Sequence, residues 1–73
     1  MFETLNKLWH AAPFEPFTVH LMDGRSLNVP HPDFCLVVPK SGMVVIVDEK
    51  GHIHSITGRG IVSVSQKGEQ VAP

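Results

Sequence analysis

Alternating hydrophobic and polar residues between Phe17 and Val29 predict a β-hairpin. The first arm alternates the apolar Phe17, Val19 and Leu21 with the polar Thr18 and His20, which is the period of a strand with one buried face. Asp23-Gly24 follows as a tight turn, because both residue types tolerate backbone conformations that turns require. Leu27 and Val29 then resume the alternation in the second arm.

Apolar residues spaced by three and four predict an amphipathic helix from Phe2 to Ala12, which Pro13 ends. The apolar stripe consists of Phe2, Leu5, Leu8, Trp9 and Ala12. We expect this stripe to lie over the open face of a sheet, with Trp9 covering the core rather than serving as a ligand platform.

Short apolar runs separated by turn residues predict the remaining strands. They are Cys35 to Val38, Met43 to Val47, His52 to Ile56 and Ile61 to Ser65. Unbroken apolar runs are typical of strands covered on both faces. Residues 66–73 are more polar, and we expect them to form a tail that frays.

These elements predict one domain over residues 1–73, mainly β with one N-terminal α-helix. The helix occupies residues 2–12, and five to six strands in residues 16–65 form a small antiparallel sheet that is strongly bent or closed into a barrel. Closure is favoured because it removes exposed edges from so small a sheet.

Length and composition constrain how such a domain is stabilised and where it works. A chain of 73 residues is near the lower limit for a self-sufficient core, although its hydrophobic content of 42% supports one. We therefore expect association into a homo-oligomer. The lone Cys35 excludes an internal disulfide framework, and no secretion signal or apolar run of membrane-spanning length is present, so the cytoplasm is predicted and a membrane is not.

The charge balance argues against a generic nucleic-acid binder. Six Lys and Arg against seven Asp and Glu leave a net charge of -1 with neutral histidines, whereas phosphate binding usually needs a basic excess. RNA binding would need a local basic patch, or patches repeated around an oligomer.

The order of elements resembles the Sm-like, Hfq-type fold and related SH3-like barrels. The likeness lies in Val19-His20-Leu21-Met22-Asp23-Gly24 and in Gly58-Arg59-Gly60-Ile61. It implies a small barrel that binds RNA. The Lys-His pair of the Hfq second motif is absent, so no base-contacting residue is carried over. The segments PFEPFTVHLMDGR and HPDF also resemble small bacterial proteins of the same layout, which implies a stand-alone domain.

Two histidines carry the candidate metal chemistry. His52 and His54 are two apart on a predicted strand, so their rings would share one face and bind a metal together with His20, His31 or Asp33. The alternative is that both are polar positions on a half-buried strand, and we favour that interpretation, so no metal site and no cofactor are predicted.

Two arginines are the candidate binding residues. Arg25 follows the Asp-Gly turn and has a guanidinium suited to a carboxylate or phosphate, although such a tip is more often only a turn. Arg59 lies between Gly58 and Gly60, where glycines allow close approach of the backbone to a phosphate or to another subunit.

No nucleophile, base and orienting acid form a recognisable set, so no catalytic residue is predicted. Cys35, between Phe34 and Leu36, is interpreted as an inert buried thiol. The leading hypothesis is a binding or assembly module that acts through protein interaction, with RNA binding second and a metal-dependent enzyme third. For self-association, we expect Val44 to Val47 and Ile61 to Val64 to pair between subunits.

Overall fold

The computed structural model describes residues 2–72, with side chains described for residues 3–71. It is mainly β with one N-terminal helix, as the sequence predicts. The elements are α1 (Phe2–Trp9), β1 (Phe17–Leu21), β2 (Ser26–Val29), β3 (Cys35–Val38), β4 (Met43–Val47), β5 (Ile53–Thr57), β6 (Ile61–Gln66) and β7 (Glu69–Ala72), with 3-10 turns at Pro32–Phe34 and Gly58–Gly60.

The strands form two antiparallel sheets. Sheet A has the order β2-β1-β6-β7, and sheet B has the order β3-β4-β5. The predicted single sheet, strongly bent or closed into a barrel, is not confirmed, because the ladders found among residues 2–72 do not join these two sheets. The 3-10 turn at Pro32–Phe34 lies where the chain passes from β2 to β3. Pro30 and Pro32 flank this passage, and proline cannot donate a ladder hydrogen bond.

The β1–β2 turn has one more residue than the predicted two-residue turn. Leu21 N–H donates to the Arg25 carbonyl at 2.8 Å, and Gly24 N–H donates to the Leu21 carbonyl at 3.0 Å. The loop is therefore Met22–Gly24, and Gly24 takes a left-handed φ of 90°, which is the arrangement of a type I turn followed by a glycine bulge. The β4–β5 turn repeats this pattern between Asp48 and His52.

The alternating residues of the predicted hairpin lie in the core, as expected. The buried core consists of Leu5, Phe17, Val19, Leu21, Leu27, Val29, Cys35, Val37, Val44, Ile46, Ile56, Ile61 and Val64. Leu8 and Trp9 pack against it from α1, and Trp9 Nε1–H donates to the Pro32 carbonyl at 3.0 Å. Trp9 therefore covers the core and anchors α1 to the β2–β3 connection.

The helix is shorter than predicted. It ends at Trp9 rather than Ala12, and Ala11 N–H reaches only the Leu8 carbonyl, at 3.4 Å. Pro13 disfavours helical backbone at the preceding residue, so the helix stops before it reaches the proline. The side chain of Phe2, predicted to begin the apolar stripe, lies outside the described side chains. No helix within residues 2–72 is long and apolar enough to cross a membrane.

The predicted fraying of residues 66–73 is wrong for most of that segment. Gln66 ends β6, and β7 pairs with it through Gln66 opposite Glu69. The intervening Lys67 and Gly68 have positive φ values of 55° and 78°, which define a type I′ hairpin turn. Pro73 lies outside the described residues.

The two strands expected to pair between subunits are both interior. β4 lies between β3 and β5, and β6 lies between β1 and β7. β4 is paired along both sides, so the expectation is wrong for Val44 to Val47. In β6 only residues 64–66 pair with β7, and no ladder partner on that side is found for residues 61–63 within the described chain, so pairing through Ile61 to Val64 stays a prediction. Within the described part of the chain, the edges that remain are those of β2, β7, β3 and β5, together with residues 61–63 of β6.

Candidate functional site

A cleft of about 320 Å³ opens between β2 and the β4–β5 turn. We call it the seam cleft, because it lies where the edge of sheet A faces the turn at the end of sheet B. It is lined by Ser26, Leu27, Asn28, Asp48, Glu49, Lys50 and His52. One wall is a strand edge, and the other is a charged turn.

The β2 wall presents unpaired backbone groups to the cleft. Hydrogen-bonded and non-hydrogen-bonded pairs alternate along an antiparallel ladder, and the Leu21–Arg25 pair is hydrogen-bonded. The register continues with His20 opposite Ser26 and Thr18 opposite Asn28. Ser26 and Asn28 therefore direct their N–H and C=O groups away from β1, toward the seam cleft. No backbone partner for these groups is found among residues 2–72.

Asp48 organises the opposite wall. Its Oδ1 accepts the backbone N–H groups of Lys50 and His52, each at 2.9 Å, and its Oδ2 lies 3.0 Å from His54 Nε2. These hydrogen bonds, with that from His54 largest, lower the pKa of Asp48 to about 2 against the opposing effect of desolvation. The carboxylate is therefore ionised at neutral pH and holds the turn in shape.

His54 connects this wall to the β1–β2 hairpin. Arg25 Nη1 lies 3.3 Å from His54 Nδ1. A guanidinium can only donate, so Nδ1 is the acceptor, and Nε2 carries the proton that is donated to Asp48. The His54 side chain is 18% exposed. The Arg25–His54–Asp48 chain thus bridges the two sheets beside the seam cleft, through the imidazole of His54.

Arg25 is also held from its own turn. Its Nε donates to Asp23 Oδ2 at 2.7 Å, and its backbone N–H donates to Asp23 Oδ1 at 3.0 Å. The backbone hydrogen bond is the largest cause of the lowered pKa of Asp23, and the guanidinium adds to it. The predicted recognition arginine is thus engaged within the chain by a carboxylate and an imidazole, and its role in binding a partner stays a prediction.

The outer face of the β1–β2 hairpin is polar. The two ring nitrogens of His20 lie 2.9 Å from Ser26 Oγ and 2.9 Å from Ser65 Oγ, so this imidazole spans from β2 across β1 to β6. Thr18 Oγ1 donates to Asn28 Oδ1 at 2.8 Å. These bonds fix the side chains of Ser26 and Asn28 on the outer side of β2.

Arg59 lies elsewhere, in a second cleft of about 630 Å³. We call it the Arg59 cleft; it is lined by Ser41, Gly42, Thr57, Gly58 and Arg59. Gly58 N–H donates to the Gly42 carbonyl at 2.9 Å, and the Gly60 carbonyl accepts Met22 N–H at 2.9 Å. Gly58 and Gly60 therefore connect their own 3-10 turn to two other turns of the fold. Arg59 is exposed, and no ion pair to it is found in residues 2–72.

His52 and His54, the two histidines of the metal hypothesis, both lie beside Asp48. Asp48 was not among the third ligands predicted for that metal. His52 Nδ1 lies 3.6 Å from Asp48 Oδ2, and His54 Nε2 lies 3.0 Å from the same oxygen. His20 bonds to two serines, and His31 stacks on Phe34 with ring centroids 6.2 Å apart. In the described residues, no group of three or more His, Cys, Asp and Glu side chains is arranged to hold a metal.

Cys35 is buried, as predicted, with 6% of its surface exposed. Desolvation raises the pKa of its thiol to about 11, so the thiolate is scarce at neutral pH. Residues that sequence reasoning missed are Ser26, Asn28 and Asp48. A usable signal existed for Asp48, since Asp-x-Lys-Gly-His places a carboxylate at the start of a turn whose amides it can accept.

Comparisons with protein-family models, curated proteins and solved structures found no significant match to this chain.

Proposed function

We propose that this protein is a small binding module that acts through protein interaction at the seam cleft, in the cytoplasm. The single observation that carries the proposal is the free edge of β2, where Ser26 and Asn28 direct backbone donors and acceptors into a cleft. Unpaired strand edges are templates for pairing with another chain, and folded proteins commonly cover or charge them. The partner is another protein or a further copy of this chain.

The opposite wall supports a recognition role for this edge. Asp48, Glu49 and Lys50 bring charges of both signs to the cleft, and hydrogen bonds hold the turn that carries them. A preformed wall lowers the cost of ordering a binding site when a partner arrives. The seam cleft therefore combines backbone hydrogen bonding, which gives affinity, with a charged wall, which gives selectivity.

A photocrosslinking residue placed at Lys50 tests the proposal. The exposed Lys50 lines the seam cleft, and a matched crosslinker at Ser41 lines the Arg59 cleft instead. We expect a discrete protein adduct from position 50 that is absent from position 41 and is lost on competition with unmodified protein. Equal adducts from both positions, or none from position 50, would contradict the proposal.

RNA binding is the second candidate function, and the Arg59 cleft is the observation that favours it. An exposed guanidinium lies beside the hydroxyl-bearing residues Ser41 and Thr57, and no acidic residue lines this cleft, a composition suited to phosphate oxygens. Light scattering of nuclease-treated protein, with the ultraviolet absorbance ratio recorded before treatment, tests this alternative. Co-purified nucleic acid that is lost in Arg59→Ala but kept in Arg25→Ala would support RNA binding. If no nucleic acid co-purifies, the RNA-binding alternative is excluded.

A further inference from the structure

Resting on the proposed function, we infer that the occupant of the seam cleft is an extended peptide segment that adds to sheet A as a strand beside β2. The partner class follows from the backbone groups that the cleft presents. Ser26 and Asn28 each offer one N–H and one C=O on the side away from β1. These groups match the spacing of every second residue of an extended chain.

The shape of the site favours a single segment over the edge of a second folded sheet. The four-residue β2 faces the turn that contains Glu49 and Lys50 across a cleft of about 320 Å³. A lone strand has to fit only its own width into this gap. A copy of sheet A would bring its neighbouring strands and turns against the β4–β5 turn as well.

The pleat of sheet A predicts which guest side chains point where. Leu27 is buried, whereas the side chains of Ser26 and Asn28 are exposed on the outer face. A guest residue opposite Leu27 therefore points toward the interior of the domain, and its neighbours point outward beside Ser26 and Asn28. Polar β-branched residues, above all threonine, suit the outward positions.

Charge defines the guest further. Asp48 and Glu49 give the lining two carboxylates against the single ammonium group of Lys50. Asp48 is already bonded on both carboxylate oxygens, so Glu49, exposed at the tip of the turn, is the carboxylate available to a partner. We therefore expect a lysine or arginine in the guest near Glu49, contributing mainly to selectivity and association rate.

The test uses a displayed library of linear peptides of about seven residues, roughly 20 Å long when extended. Peptides selected on the intact protein are then measured against three variants. Asn28→Pro removes one of the two N–H groups that point into the cleft and leaves the β1 ladder intact. Asn28→Ala removes the side chain but keeps that N–H. Glu49→Lys reverses the selecting charge.

We expect selected peptides to carry a basic residue and to lose about 10-fold in affinity with Asn28→Pro, the effect of about one backbone hydrogen bond. Asn28→Ala should stay within about 3-fold of the intact protein, and Glu49→Lys should weaken basic peptides. In the intact protein, peptide binding should protect the Ser26 and Asn28 amides from hydrogen exchange. This last measurement does not depend on whether Asn28→Pro folds.

Two results would overturn the inference. One is a library that yields no binder, and the other is a set of binders that protect neither amide. If proteins still crosslink at position 50 in either case, the proposed function stands and only the strand-adding partner is lost. If position 50 gives no adduct while peptides do protect both amides, the inferred chemistry stands and the cellular role is lost.

Discussion

His54 and Asp48 form a hydrogen bond whose direction is fixed from outside the pair. Nε2 of His54 lies 3.0 Å from Asp48 Oδ2, while Nδ1 faces the Arg25 guanidinium at 3.3 Å. The arginine can only donate, so the imidazole must accept at Nδ1 and donate at Nε2. Asp48 accepts the hydrogen bond from His54 Nε2 and so completes the Arg25–His54–Asp48 chain.

Asp48→Asn should disturb the whole chain of hydrogen bonds. If the new amide group donates to His54, the imidazole must reverse its tautomer and present an N–H to Arg25. We expect a lower free energy of unfolding, because a polar group is left without its partner. In an Arg25→Ala background the imidazole can reverse freely, so the same substitution should cost less. Urea unfolding of the intact protein, the two single variants and the double variant measures the coupling between Asp48 and Arg25. Additive effects of the two substitutions would contradict a His54 tautomer that both residues determine.

Acid should weaken the fold through Asp48. The pKa of Asp48 is lowered to about 2 in the folded protein, whereas an unfolded carboxyl titrates near its ordinary value of 3.8. The unfolded state therefore takes up the proton first as the pH falls. The stabilisation is complete above the ordinary value and disappears as the pH drops toward 2.

The urea midpoints of the intact protein and Asp48→Asn, measured between about pH 5 and pH 2, check this expectation. The difference between the two proteins should shrink as the solution becomes more acidic. A difference that stays constant over this range would mean that the Asp48 charge contributes no stability.

Cys35 should resist alkylation until the protein unfolds. Its thiol is buried, and desolvation raises its pKa to about 11, so the reactive thiolate is rare at neutral pH. We expect iodoacetamide to react at least about 100-fold more slowly than in denaturant, since reactivity follows the thiolate fraction and access. Ser41→Cys in a Cys35→Ala background supplies an exposed thiol as the control. Similar rates for both thiols would contradict the burial of Cys35.

The β6–β7 turn depends on Gly68. Its φ of 78° lies in the left-handed region, and a Cβ added there meets no atom within 4 Å. Gly68→Ala should therefore cost about 1 kcal/mol through backbone strain alone. Gly60→Ala is a matched control, because Gly60 has no positive φ and the nearest atom to its added Cβ is 3.9 Å away. Thermal unfolding compares the two; an equal effect would contradict the turn assignment.

Leu5 should be the critical residue of the helix. It is fully buried, whereas Leu8 packs against the core only in part. Leu5→Ala should cost about 2–5 kcal/mol, the usual range for a buried leucine, and Leu8→Ala should cost less. Chemical denaturation of both variants checks this order, and a larger effect at Leu8 would contradict the packing of α1.

The local structure of this fold could be predicted from the sequence better than the pairing of distant strands. Alternation identified the buried Val19, Leu21 and Leu27 because one face of each strand contacts the core. β7 was not predicted from the sequence, because its turn uses Lys67-Gly68 instead of the familiar Asn-Gly or Asp-Gly and its residues are mainly polar. Alternation says nothing about neighbours, so β4 and β6 were expected at edges although both are central.

The candidate site was predictable only in part. His52 and His54 drew attention through their spacing, yet the carboxylate that joins them belongs to the preceding turn. Arg25 was identified by residue type, but its bond to His54 spans 29 positions and cannot be deduced from local pattern. In the proposed function, Ser26 and Asn28 act through their backbone, which every residue shares, so that proposal depends on the ladder register alone.

The pairing of β1 with β6 also constrains how the protein is made. His20 and Ser65 bond across sheet A although 45 positions separate them. During synthesis, the β1–β2 hairpin emerges long before β6. Both edges of the hairpin therefore stay unpaired while sheet B is being translated. Long-range pairing of this kind is slow, and an open hairpin is exposed to aggregation meanwhile. The hydroxyl and imidazole groups on the outer face of that hairpin keep one side of the nascent chain compatible with water.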